Sequence, residues 1–213
     1  MNILKPQKIL FDKLKSIEDI LEELQNKDEV ENINFKDYKN ESIELTDITI
    51  RKAIFANVEI INSNLEKNTF IDIEFKNCNF SNSSFENCTF IRCEFNNCKF
   101  AGCNFIESML TDIAFIECNL VYINLSLASI KNVLFENTVL RNGAFQENKI
   151  KNVIFKNADL TQVQFLKTSL NGIDLSTSII SGIVVSIENI RGATINEFQA
   201  LDLISLIGVK IIK

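Results

Sequence analysis

Every fifth residue from Leu45 to Ile195 is Leu, Ile, Phe or Val, 31 positions in a row without an insertion or deletion. Nine of these positions are Leu, fourteen Phe, seven Ile, and one is Val185. A random order of the same composition would give such a run on the order of once in 10^13 trials, so the period is a property of the fold. Five matches neither the 3.6 residues of a helix nor the 2.0 of a strand.

A second column, two residues before each large apolar one, holds small or β-branched side chains such as Ala53, Ser63, Cys78, Ser83, Cys88, Val133, Ala158 and Thr168. Two inward residues at spacing two describe a short extended segment, and the three remaining residues supply a corner. Each pentapeptide is then one side of a solenoid. From Ile113 the smaller column alternates bulky and small through Cys118, Ile123, Ala128, Val133 and Thr138 to Ile183, with Gly143 out of step. Bulky residues stack on bulky ones only if the number of sides is even, and two sides cannot enclose a core. Four sides and 20 residues per coil follow. The run from Glu41 to Ile195 makes roughly 7.75 coils and a rod of roughly 37 Å at the usual inter-strand spacing. Ile33 and Phe35 lie on the same grid and predict an imperfect first coil that Asn40 interrupts.

The units CNFSN, CEFNN, CNFIE, ADLTQ and IDLST are similar to the A(D/N)LXX motif of pentapeptide-repeat proteins. The resemblance implies an all-β solenoid, a right-handed quadrilateral parallel β-helix of about eight coils of four pentapeptides. This sequence departs from the motif in preferring Phe at the centre and Cys or Ile at the smaller position.

Capping segments are expected at both ends, because end coils expose apolar rungs and open strand edges. Pro6 followed by Leu10, Leu14, Ile17, Leu21 and Leu24 predicts helix over 6–26, either one bent helix or, with Ser16 and Asp19 as a new N-terminus, two. Asn196 predicts the N-cap of a helix over 197–207 that Gly208 ends in the left-handed conformation, and the tail GVKIIK reads as a short strand. The expected organisation is one structural domain: an N-terminal helical cap over 1–30, the β-helix over 31–195, and a capping helix with a strand over 196–213. The C-terminal ending resembles that of bacterial members, including the quinolone-resistance (Qnr) type, in which it implies an end-to-end homodimer. Phe198, Leu201 and Ile204 share one face of the predicted helix and are the candidate dimerisation residues.

Residue types restrict the chemistry. The 213-residue chain has no His and no phosphate-cradling glycine motif, which removes the usual general base and nucleotide loop. All six cysteines fall in the inward column, without metal-ligand spacing, and read as small buried groups in a chain without a signal peptide, hence a cytoplasmic one. No apolar run is long enough for a membrane span. The nine Phe of Phe70 to Phe105 and Phe115 read as a core ladder rather than a base-stacking surface. Asn68 and Asn148 face inward and should bond to neighbouring backbone. Glu74 and Glu94 stack 20 residues apart but lack a cleft.

No catalytic residue, cofactor or metal is expected, and the chain reads as a non-enzymatic protein-binding or scaffold module of unknown partner. Outward Leu134 and Ile154, stacked after Ala114 and near Ile71, Ile91 and Ile116, form a candidate partner strip. The alternative is a DNA mimic that binds a type II topoisomerase such as gyrase and protects it from quinolones, as some relatives do. Duplex DNA of that length carries about 22 charges, whereas residues 41–195 hold 17 acidic and 13 basic side chains. Basic residues even recur on one side at Arg51, Lys52, Arg92, Lys131, Lys151 and Arg191. The acidic balance of the whole chain, −6, argues against direct nucleic-acid or membrane binding.

Overall fold

A computed structural model describes residues 3–7, 22–24 and 26–209 of the chain. Its frame is set by strands that all pair in parallel at a 20-residue offset. Seven strands stack in chain order: β1 (Glu29–Lys36), β3 (Thr49–Ala56), β5 (Thr69–Lys76), β6 (Thr89–Asn96), β7 (Met109–Ile116), β8 (Ser129–Glu136) and β9 (Lys149–Lys156). β2 (Lys39–Glu41) and β4 (Glu59–Ile61) pair beside them, and isolated bridges carry the remaining sides through Asp174 and Thr194. Phe75, for instance, lies over Phe95 and Phe95 over Phe115. Twenty residues per coil over Glu29 to Thr194 give about eight coils and a four-sided parallel β-helix. Asn40 does not interrupt the first coil. It pairs with Ile60 in the β2–β4 ladder while its exposed amide donates to the Tyr38 hydroxyl at 2.8 Å.

The period of five has a backbone cause. In every repeat from Asn32 to Gly172, the residue three before the apolar centre has φ between about +50° and +77°. That left-handed conformation is the corner, and Asn, Asp and Gly tolerate it best, which explains their abundance in this column. The corners come in two forms. β5 passes round its corner at Asp72 without leaving the ladder. On the facing sides the turn closes on itself, as where the Ser83 amide donates to the Phe80 carbonyl at 3.1 Å across Asn82. Left-handed φ at the third residue of such a turn is the type II pattern. After β9 the closed form takes over on the remaining sides, as at Leu170–Ile173 and Leu175–Ser178.

The central column fills the rod. Phe55, Phe75, Phe95, Phe115, Phe135 and Phe155 form a ladder with ring centroids 4.6 to 5.2 Å apart. Neighbouring sides meet this ladder edge-on, as Phe95 and Phe100 do at 86°. Stacked and edge-to-face pairs are the favoured aromatic geometries.

The smaller column does more than save space. Its hydroxyls and thiols donate to the carbonyl 23 residues back: Ser83 to Ile60, Cys103 to Phe80, Ser108 to Phe85, Thr168 to Phe145. Ser63, Asn68 and Thr168 also accept from backbone amides 20 residues back. Small polar side chains thus satisfy backbone groups at corners where the regular ladder lapses. Asn68 behaves as expected: its amide oxygen accepts from the Ile48 amide, and its nitrogen donates to the Leu45 and Leu65 carbonyls. Asn148 is half-satisfied, with an acceptor bond from the Ala128 amide and no partner for its nitrogen among the described residues. Gly143 is small because a Cβ there would sit 2.9 Å from the Leu140 carbonyl and 3.4 Å from an Ile123 methyl.

At the C-terminal end a one-turn helix, α1 (Ile187–Ile190), replaces a corner, which places Glu188 in a helix. α2 (Glu197–Leu203) follows, capped by Asn196 as expected, and its last turn tightens into a 3-10 helix over Ile204–Ile207 before left-handed Gly208. The tail after Val209, where a strand was expected, lies outside the described residues, as does most of the predicted helix over 6–26. Residues 22–24 and 26 are helical, with Leu24 buried against the first coil, whereas Pro6 and Gln7 have no regular structure.

Candidate functional site

Three places on the rod gather the sequence-derived candidates: its C-terminal end, one outer face, and the thiol column. At the C-terminal end the last coil has no following coil to donate to its carbonyls. Gln199, 5% exposed, fills that role. Its side-chain nitrogen donates to the Leu175 carbonyl at 2.8 Å and the Ser178 carbonyl at 2.6 Å, while its oxygen accepts from the Asn196 amide in a capping box. Asn196 adds a bond to the Ser176 carbonyl. Leu203 and Leu206 then pack on the core. This holds α2 across the rod end with Phe198 and Leu201 turned to solvent, 75% and 60% exposed, and Ile204 half-buried. The three candidates thus divide: two form an outward apolar face and one lies at its edge.

On the outer face, Ala114, Leu134 and Ile154 stack in register as the spacing implied. They do not form one open strip. Residues 3–6 lie beside Ala114, Ile116 and Leu134 across a cleft of about 210 Å³, and Ala114 is buried and Leu134 half-buried. Ile154 alone of the three is exposed. The arm is anchored two coils below Ala114, where the Gln7 amide donates to Asp72 at 3.0 Å. Asp72 is buried and accepts two bonds from the Arg92 guanidinium, both 2.7 Å. Burial pushes the Asp72 carboxyl upward, but Arg92 and the Gln7 amide outweigh it and hold the group below the ordinary carboxylate range. The sequence listed Arg92 among a row of basic residues. Three of that row are engaged: Arg51 binds Glu29 at 2.6 Å, Lys52 faces Glu31, and Arg92 holds Asp72.

The six thiols are all buried and unbridged. Burial pushes Cys88, Cys93 and Cys103 up to about 12. The Cys118 and Cys78 thiols on either side of Cys98, with burial added, raise it as well. Cys88, Cys93, Cys98 and Cys103 are thus neutral groups in a ladder, far from the thiolate a nucleophile or metal ligand requires. Among the described residues no group of three or more His, Cys, Asp and Glu could hold a metal, and no helix is long and apolar enough to cross a membrane. The stacked Glu74 and Glu94 turn to their own neighbours, Lys76 at 2.6 Å and Asn96 at 2.8 Å, as solvated surface groups do.

Sequence reasoning missed Gln199, because a glutamine in an apolar helix carries no marker except its place three residues after the N-cap. It also missed Asp72 as an anchor, since nothing in the local pattern reveals a partner 65 residues away at Gln7.

Parallel coils of 20 residues, left-handed corners and two inward columns define a non-globular rod, a four-sided β-helix built from five-residue units. Family models for a pentapeptide repeat region and for pentapeptide repeats in eight copies match residues 88–165 and 69–106. Over residues 69–165 the chain thus carries the repeat of the pentapeptide-repeat family. Among solved structures it is similar to HetL, a pentapeptide repeat protein involved in heterocyst differentiation regulation from the cyanobacterium Nostoc sp. strain PCC 7120. That match has a TM-score of 0.62 and 13% identity, and covers 84% of this chain and 94% of HetL, which is a likeness of fold. QnrB1, a plasmid-mediated fluoroquinolone resistance protein, aligns over 86% of this chain and all of its own at 18% identity, with a TM-score of 0.37, too loose to bear on function. No curated protein matches the chain.

Proposed function

We propose that this rod is a non-catalytic protein-binding module whose primary contact is the outward face of α2, used by a second copy of the chain to form an end-to-end dimer. The observation that carries the reading is the pairing of a fixed backbone with an unburied apolar face. Gln199 and Asn196 lock α2 to the last coil, yet Phe198 and Leu201 have no cover. An aromatic and an aliphatic side chain on a rigid support make a low-entropy contact, because little freedom is lost when a partner docks. A two-fold dimer would set each Phe198 against the other copy's helix and leave the β faces free for a further protein partner.

Sedimentation equilibrium tests this directly. The chain should be dimeric at micromolar concentration, and Phe198→Asp with Leu201→Asp should make it monomeric without changing its circular dichroism. A wild-type chain that stays monomeric at 100-fold higher concentration would dismiss the dimer.

Topoisomerase mimicry has weaker support. Arg51, Lys52 and Arg92 are paired with acids on the same face, so the rod presents mixed charge rather than a continuous anionic ridge. A gyrase supercoiling assay with and without a quinolone separates the readings: unchanged supercoiling and unchanged drug sensitivity are expected.

A further inference from the structure

Leu24 and the first three coils line a partly open cavity of about 310 Å³ at the N-terminal end of the rod. The lining coil centred on Ile50, Phe55, Ile60 and Leu65 has one Phe among its centres and Ile48, Ala53, Val58 and Ser63 in its smaller column. Beside the chamber the first coil presents Asn40 where an apolar side chain would close the side, and that residue is exposed.

The walls are apolar and largely aromatic, with Phe35, Phe55, Phe75 and Phe80 among them, and the mouth is polar, with Tyr38, Asn40 and Glu44. Tyr38 and Asn40 are bonded to each other. Glu44 is not: its carboxylate has no hydrogen-bond or ion-pair partner among the described residues. Glu44 also lines an open cleft outside the mouth together with Asp28, Asp47 and Lys27, and Lys27 is engaged by Glu23 at 3.1 Å.

We propose that this chamber is a binding site for a small arylalkyl amine, its ring among the Phe side chains and its ammonium at Glu44. An engineered apolar cavity of about 150 Å³ stays dry and takes up benzene, so a chamber twice that size holds a ring and a short tail. Phenylalanine walls favour an aromatic guest through edge and stacking contacts. The unpaired carboxylate selects a cationic head and rejects an anionic one, since a second carboxylate at the mouth would meet like charge.

Calorimetric titration of the full chain with 2-phenylethylamine, 2-phenylethanol and 3-phenylpropionate tests the proposal. The amine should bind most tightly, the alcohol at least ten-fold more weakly, and the carboxylate not at all at millimolar concentration. Ile60→Phe extends the Phe80–Phe100 stack into the chamber and should abolish binding of both amine and alcohol. Glu44→Gln, a substitution at the rim, should bring the amine down to the affinity of the alcohol and leave the alcohol unchanged. Absence of binding by all three compounds overturns the site, as does a carboxylate that binds as well as the amine. Amine binding that survives Glu44→Gln unchanged overturns the role of the carboxylate even if Ile60→Phe fails to fold.

Discussion

Leu127 stands at a corner with φ of 61° and its side chain half in solvent, a conformation that most other corners of the rod give to Asn, Asp or Gly. A branched aliphatic side chain gains nothing there and carries the steric penalty of the left-handed region, about 1 kcal/mol. Leu127→Asn should therefore raise stability by about 1 kcal/mol, read as a higher denaturant midpoint at unchanged slope. The corner also shows what a sequence discloses at this scale. The Asn-rich column was visible, but its meaning was not. Asn is common in turns, caps and surfaces alike, and the positions held by Lys52, Arg92, Tyr122 and Leu127 hide the rule. The inward column was read for its size. Its second task, donating to the carbonyl 23 residues back, depends on the pitch of the coil and so could not be seen along the chain.

Elements at the two ends of the rod solve the same problem by different means. The C-terminal cap rests on one buried amide, and Gln199→Ala would take the Gln199 donor from the Ser178 carbonyl and leave the Leu175 carbonyl with the Ser178 amide alone. A loss of about 2 to 3 kcal/mol is expected, together with fast amide exchange in α2 while the inner coils stay protected. The N-terminal arm rests on an ion pair. A carboxyl whose folded pKa is depressed contributes stability above its unfolded value, near 4, and loses it as pH falls through the folded value. The arm should accordingly stay docked from neutral pH down to about pH 4 and release below it. Asp72→Asn should release it at neutral pH, seen as faster exchange of the Gln7 amide. Both helical caps were placed in the sequence by their capping residues, and the C-terminal one is present. The partners that fix the caps were not legible, because they lie 21 to 65 residues away from the groups they hold.

For the molecule as a whole, the fold was legible almost throughout and the use of its surface was not. Thirty-one apolar centres with no insertion, and an alternation that demanded an even number of sides, lead to the 20-residue coil that every ladder repeats. A surface has no such redundancy. Ala114, Leu134 and Ile154 stack in register, yet the chain's own residues 3–6 lie beside part of that row. The thiols offer a test of integrity at this scale. Burial should leave all six unreactive toward a disulfide reagent at pH 8, with Cys88, Cys93 and Cys103 pushed up to about 12 as well, and all six should react once the rod is unfolded. Rapid labelling of any thiol in the native chain would contradict the closed core.

The constant 20-residue offset also governs how such a molecule can change its size. A coil meets the next one through the same set of contacts wherever it sits, so the rod's length is quantised. Duplicating residues 89–108 would add a coil whose Phe, Cys and Ser columns fall into register above and below, whereas adding a single pentapeptide would rotate everything beyond it by one side. The chamber at one end and the outward helix at the other would be carried apart by a coil's height, each unchanged. Selection acting on this gene can thus tune the span between its two ends in whole steps, by copying what is already there.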